Sequence, residues 1–313
     1  MKGGQARPER AAPRFRAILG VSVAAAALLC AKQSRAAYTD LYFDWALPAE
    51  PGWYWADYLD YVNRGNSNTI GNTGLLEYQT KTGLTGTSRD SFEFWAGFDL
   101  GYSNPAGSKS NNSGWGVAIP NIGAEWYYFI MPSDLKQGDP NYRVLSFSPW
   151  VEINAPNGNT NSTGFGAGLN QWSFQGALLF TYRSGRFTTT IQPIMLTYAA
   201  SDVNRSTVID SSGTPVLSRV RGGLSATLGA ANVGYDVTPT LTLGLYQAWN
   251  AYSISGANYA PKQYEGTIGP MVTWSGLSEK YGLTISATVQ ADYYRSSGMP
   301  EGVFVSAYFV KHF

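Results

Sequence analysis

Apolar and polar residues alternate with a period of two over much of this chain. In Ser91–Tyr102, the residues Phe92, Phe94, Ala96, Phe98, Leu100 and Tyr102 share one parity, and Ser91, Glu93, Trp95, Gly97, Asp99 and Gly101 the other. Successive side chains leave a strand on opposite faces, so the segment predicts a strand with one apolar side. Trp172–Thr181 repeats the pattern, with Trp172, Phe174, Gly176, Leu178 and Phe180 opposite Ser173, Gln175, Ala177, Leu179 and Thr181. In Leu283–Tyr293, Leu283, Ile285, Ala287, Val289, Ala291 and Tyr293 oppose Thr284, Ser286, Thr288, Gln290 and Asp292. Leu241, Leu243, Leu245 and Trp249 alternate with Thr240, Thr242, Gly244 and Tyr246.

Twelve such runs can be placed, at 53–62, 74–83, 91–102, 114–131, 142–154, 172–183, 186–199, 222–236, 240–252, 265–275, 282–294 and 303–313. The clearest are about 10–12 residues long, whereas a strand of a soluble domain averages about 5–6 and a tilted bilayer-spanning strand needs about 9–11. Length thus favours a transmembrane barrel over a soluble sandwich. Aromatic residues end several runs (Phe92 and Tyr102, Trp172 and Tyr182, Tyr293 and Tyr294), where interfacial girdles fall. Arg183-Ser184-Gly185-Arg186 and Val237-Thr238-Pro239 read as tight turns, while Asn104–Gly114, Ala155–Ser162, Asp202–Pro215 and Ser253–Pro261 read as longer polar loops. The fold expected is all-β, a transmembrane antiparallel up-and-down barrel of about twelve strands. Single-chain barrels normally have an even strand count, which keeps ten and fourteen open.

The first residues follow another pattern. Lys2, Arg7, Arg10, Arg14 and Arg16 precede a 13-residue apolar stretch, Ala17–Leu29, and small residues follow at Ser34, Ala36 and Ala37. This is the layout of a cleaved secretory leader, too short for a membrane-spanning helix of about 20 residues. The division expected is a signal peptide over 1–37 and one barrel domain over 38–313. Leu29 before Cys30 argues against lipidation there. Tyr38–Pro51, with Leu41, Tyr42, Phe43 and Trp45, can tuck into the barrel as a plug or hang outside as a tail; a tail is the commoner state of a terminus.

Composition narrows the chemistry. Charged residues make up 14% of the 313 and aromatics another 14%, with 35 Gly, one Cys and one His. Loss of the leader, which holds seven basic residues and one acidic, leaves 15 basic and 20 acidic. Neither a disulfide framework nor a Cys/His zinc site can be built, and no nucleic-acid partner is indicated. No cofactor or metal is expected, apart from an open question of a carboxylate calcium site around Asp134 and Asp139. Barrel enzymes of the membrane rely on a histidine base, and the one histidine, His312, lies beside the C-terminus, so no catalytic residue is assigned. No Gly-x-x-x-x-Gly-Lys run is present, so any transport is passive.

Charges are tolerated in a barrel lumen and costly towards lipid. Glu93, Asp99, Gln175, Arg183, Gln290 and Asp292 are therefore assigned to the lumen wall, with Trp95 and Leu179 as its apolar part. Two roles stay open for the polar set: lining a passage, or filling a narrow barrel as a paired network. The final strand ends on Phe313. Phe309 and Phe313 look like the terminal signature that outer-membrane barrels present to the barrel-assembly machinery. Lys311 interrupts that face and can snorkel to the interface.

Six segments follow in order: Leu47-Pro48-Ala49-Glu50-Pro51-Gly52-Trp53-Tyr54, Gly138-Asp139, Asn170-Gln171-Trp172-Ser173-Phe174-Gln175 running into Phe180-Thr181-Tyr182, Val237–Gly244, Gly269-Pro270 and Pro300–Phe313. Together they resemble the meta-pathway phenol degradation (MetA-like) family of bacterial outer-membrane barrels. Pro140 after Gly138-Asp139 departs from the family pattern. The resemblance implies an outer-membrane channel of a Gram-negative bacterium for passive uptake of small, aromatic or hydrophobic compounds. The alternative is a structural or adhesive barrel with a closed lumen, whose loops make the contacts.

Overall fold

The computed structural model describes residues 43, 45–64, 67–104, 114–115, 119–135, 137, 139–156, 172–200, 206–209, 215–218, 223–255, 263–297 and 301–313. The expected leader over 1–37, and the expectations that fall on loop residues 105–113, 157–171, 201–205, 210–214 and 256–262, lie outside the described residues.

The strands are β1 (Gly52–Arg64), β2 (Ser67–Gln79), β3 (Asp90–Asn104), β4 (Gly114–Trp115), β5 (Ile119–Met131), β6 (Arg143–Asn154), β7 (Ser173–Ser184) and β8 (Phe187–Ala199). They continue with β9 (Ser206–Ile209), β10 (Pro215–Ser218), β11 (Gly223–Thr238), β12 (Leu241–Ser255), β13 (Gln263–Leu277), β14 (Leu283–Arg295) and β15 (Gly302–His312). One helical turn, α1 (Ser278–Tyr281), connects β13 to β14. All strands except β4, β9 and β10 join in one antiparallel wall of twelve, each paired with its neighbour along the chain. The wall closes where β15 pairs β1, from Tyr54 opposite His312 to Arg64 opposite Gly302. Closure leaves no long strand with an open edge, which a hydrocarbon environment requires. The short β4 extends the wall beside Tyr102 and Ser103, and β9 pairs only with β10.

Eleven of the twelve expected runs match barrel strands to within a few residues. The run 74–83 does not: its strand is Ser67–Gln79. The polar stretch before Leu75 is in the wall because its amides find partners across the pair. Asn68 accepts from Asn63, and Asn72 donates to Asp57. Residues 80–83 instead fold back, with the Thr80 and Gly83 amides donating to the Phe92 and Asp90 carbonyls.

The wall is inside-out relative to a soluble protein. Leu59, Leu76, Ile122, Val151, Ile268 and Val289 are all more than a third exposed on the outer face. Aromatic residues bracket this band. Trp53, Tyr78, Phe187, Tyr235 and Trp274 ring the end that carries the C-terminus, and Tyr61, Tyr198, Tyr264, Tyr293 and Tyr294 ring the other. An apolar band between two aromatic girdles is the outer surface of a lipid-spanning barrel. The C-terminal end holds the two tight turns, 185–186 and 239–240, and Gly185 takes φ 57° as the first of them requires. It also holds the longer connection 80–89, while β3, β6 and β8 end, and β5, β7 and β11 begin, at the opposite end.

A charge placed on this outer band has a depth-dependent cost. Val289 sits at the middle of β14, and Val289→Arg is expected to destabilise the barrel by about 2–4 kcal/mol. Tyr293→Arg, in the girdle of the same strand, is expected to cost about 0–1 kcal/mol. Urea unfolding in lipid vesicles checks the contrast.

Candidate functional site in the lumen

The inner parity of each strand builds the lumen wall, and its chemistry differs around the circumference. On β2, β3, β5 and β6 it is acidic. Glu93 and Glu125 stand directly opposite each other across the β3–β5 pair. Glu77 is the inner partner of Tyr54 and Trp95. Like charges directly opposite are unfavourable, so these carboxylates need donors. The Tyr127 hydroxyl donates to Glu93 at 2.7 Å, and the Ser148 hydroxyl donates to Glu125. Farther along, Glu152 accepts from the Trp95 indole at 3.0 Å, the Asn154 amide at 2.9 Å and the Gln175 amide at 3.4 Å. Inner positions of these four strands carry no Lys or Arg. Beside the cluster, the Tyr58 and Tyr308 rings lie 4.3 Å apart.

From β7 to β14 the wall is lined by hydroxyls and amides. Thr181 and Thr190 share a hydrogen bond of 2.7 Å, Thr227 bonds Asn250 at 2.9 Å, and Thr267 bonds Gln290 at 2.9 Å. Near the C-terminal end, Arg183 on β7 pairs with Asp236 on β11, and Thr242 donates to the other carboxylate oxygen at 2.6 Å.

Inside this wall lies the segment before β1. Phe43 and Ala46 are 3% and 0% exposed. The Phe43 carbonyl accepts from Thr190 at 2.8 Å, and the Ala46 amide donates to Thr181 at 3.1 Å. Trp45 donates to Glu125. Phe43 packs into an apolar cluster with Leu179, Ala230, Tyr246, Ala248 and Met271. Of the two dispositions open to Tyr38–Pro51, the strap around Phe43–Ala46 thus takes the plug. The commoner tail is displaced because the ring finds an apolar recess in the lumen wall.

The structure separates the sequence-assigned wall residues. Glu93, Trp95 and Gln175 face the lumen in or beside the acidic side, and Leu179 faces it in the Phe43 cluster. Arg183 also faces inward, but as half of an ion pair. Gln290 is 8% exposed and bonded to its neighbour on β13. Asp292 braces the β14–β15 connection by accepting from the Gly302 amide at 2.8 Å. Asp99 occupies an inner register position opposite Thr73; its side chain lies outside the described residues. Phe309 takes an outer position opposite Asp57 and Ile285, and Phe313 is 72% exposed at the barrel end. Lys311 does reach the interface, donating to the Tyr281 carbonyl. His312 stacks on Tyr54 at 4.5 Å. No group of three or more acidic, His or Cys residues converges on a metal position among the described residues; Asp139 accepts from the Asn141 amide instead.

Glu77, Glu125, Tyr127 and the strap were not assigned from sequence. The alternation Gly123-Glu125-Tyr127 against Ala124-Trp126-Tyr128 carries the signal for two of them.

No family model matches the chain, and no curated protein matches it. Solved structures do. The COG4313 outer membrane channel from Pseudomonas putida F1 is 16% identical over 85% of this chain and 97% of that chain, with a TM-score of 0.61. The translocator domain of the autotransporter NalP from Neisseria meningitidis is 12% identical over 85% and 90%, with a TM-score of 0.50. The Salmonella typhi outer membrane phospholipase aligns over 84% and 91% at 9% identity, with a TM-score of 0.40, a likeness too distant to bear on activity. The fold is that of a twelve-stranded outer-membrane β-barrel.

Proposed function

We propose that this chain is an outer-membrane channel of a Gram-negative bacterium, passing small solutes by diffusion and closed at rest by its own N-terminal strap. The observation that carries the reading is the nature of the closure. What fills the lumen at the level of Phe43 is a strap held by two backbone hydrogen bonds and two aromatic side chains, not the barrel wall. A twelve-stranded barrel lies between the filled eight-stranded and the open sixteen-stranded cases, so a movable occupant decides whether it conducts. The MetA-like resemblance adds small aromatic or hydrophobic compounds as the solute class. The assembly machinery and the bilayer are the partners this reading requires. A non-enzymatic role fits the placement of His312, stacked on Tyr54 at the barrel end.

Single-channel recording of refolded protein in planar bilayers tests the reading. Brief conducting steps are expected from the intact chain. The acidic side of the lumen predicts preference for K⁺ over Cl⁻ in reversal potentials across a salt gradient. Glu93→Gln with Glu125→Gln is expected to move the reversal potential towards zero. An anion preference in the intact chain would contradict the assignment of these carboxylates to the passage. A second reading, a closed structural barrel, is favoured by the many inner side chains without exposure, Gln79, Ser146, Thr181, Thr190 and Thr227 among them. A folded, heat-modifiable barrel that never conducts under any condition would support it.

A further inference from the structure

The seat of Phe43 has features that a permanent plug does not require. Its floor is made of glycine. A Cβ at Gly234 would approach the Phe43 ring to 2.5 Å, and one at Gly244 to 2.6 Å. The wall beside it is alanine, at Ala230 and Ala248, which pair with each other across β11 and β12. Small residues on adjacent strands thus make a flat slot deep enough for one six-membered ring, with Leu179, Tyr246 and Met271 around it. This slot is an apolar recess in a wall that also carries many hydroxyls, amides and carboxylates, with a smaller apolar cluster of Ala177 and Met195 nearby.

Among the described residues, two donors beside the slot have nothing to bond. The Gln192 amide Nε2 is buried without a partner, and Gln192 is 1% exposed and directly opposite Ala230. The Trp150 indole Nε1 is also buried without a partner, and its ring packs on the same cluster. Burying a donor unpaired is costly, so native structures keep few of them without a reason. The phenyl ring of Phe43 fills the apolar part of the slot and offers these donors no acceptor. A ring that carried an oxygen would.

We propose that the Phe43 seat is a binding site for a planar aromatic solute bearing a hydrogen-bond-accepting oxygen, and that Phe43 is its built-in competitor. Solute and strap exclude one another, so solute binding releases the strap. The inference rests on the channel reading for its physiological use, but the site itself can be tested without it. The strap's tethers suit such exchange: two backbone hydrogen bonds, each made to a threonine that remains paired with the other at 2.7 Å when the strap leaves.

The test measures binding of phenol, toluene and cyclohexanol to the refolded, leaderless chain in detergent by saturation-transfer NMR. Phenol is expected to bind. Toluene lacks the acceptor and cyclohexanol the planar ring, and both are expected to bind more weakly. Phe43→Ala removes the competitor. If the strap leaves the seat for one tenth of the time, this variant gains about tenfold in apparent affinity for phenol. Residues 38–313 hold no cysteine. Ala46→Cys with Thr181→Cys therefore allows the strap to be locked, and phenol binding is expected to vanish on oxidation and return on reduction. Gly234→Val fills the slot and should abolish phenol binding in the Phe43→Ala background. Where that variant fails to fold, the locked strap gives the same answer.

Unchanged or weaker phenol binding by Phe43→Ala, or full binding by the locked strap, would overturn the proposal. So would equal binding of cyclohexanol. Conductance of Phe43→Ala separates this failure from failure of the channel reading. A barrel that conducts but does not bind phenol loses the seat and keeps the channel; one that binds phenol but never conducts keeps the seat and loses the channel.

Discussion

Phe43→Ala combined with Trp45→Ala will raise single-channel conductance severalfold over the intact chain, with the barrel still folded. The two side chains hold the strap inside the lumen. Phe43 contributes a ring 3% exposed in an apolar slot, and Trp45 a hydrogen bond to Glu125. In a soluble core, truncating a buried Phe to Ala costs about 3–5 kcal/mol, because the cavity remains. Here the loss falls on the docking of the strap, since the strap contributes no strand to the wall. The twelve-strand pairing, including the β1–β15 closure that begins at Tyr54, lies outside the substituted residues. The cheaper response is for the strap to leave. Heat modifiability on gels should therefore match the intact chain while the conductance differs. Conductance no greater than that of the intact chain, from a barrel shown to be native, would place the closure in the wall itself and favour the structural reading.

The parts of this molecule that could be read from sequence are those governed by the outer face. Lipid on one side and polar groups on the other impose the two-residue period, and β3, β7, β12 and β14 show it because their outer residues are apolar almost without exception. The one strand placed wrongly, β2, has Asn72 on its outer parity, neutralised by a hydrogen bond with Asp57. Such a pair is invisible to a pattern that scores each residue alone. Parity also sends Glu93, Trp95, Gln175 and Leu179 inward. It does not say what each one meets. Glu93 and Glu125 become partners through the β3–β5 register. The seat of Phe43 is assembled from β7, β11, β12 and β13, with two glycines whose contribution is the absence of a side chain. A glycine in a strand reads as a weak position until the group occupying its space is known.

Removing the carboxylate of Asp236 will measure how dry this lumen is. Arg183 and Asp236 face each other from β7 and β11 with side chains 6% and 14% exposed, and Thr242 completes the carboxylate's bonding. The Arg183 Nε has no acceptor, so the guanidinium depends on this one partner among the described residues. If the pair is shielded from water, Asp236→Ala strands a buried cation and should cost about 3–5 kcal/mol. Replacing both residues, Arg183→Met with Asp236→Leu, removes the cation as well and should be neutral or stabilising by about 1–4 kcal/mol. If the lumen at this level is hydrated, the same pair is worth only about 0–1 kcal/mol, and single and double variants should differ little. Urea unfolding of the intact chain and the two variants in vesicles decides between these outcomes. The strap lies next to this pair, since the Phe43 carbonyl bonds Thr190, two residues from Thr188 opposite Arg183. The single-variant cost should therefore be large with the strap in place and fall when Phe43→Ala and Trp45→Ala are added. Such a fall would tie the energetics of a wall residue to the position of the strap, and a cost independent of the strap would mean that water reaches Arg183 by another route or not at all.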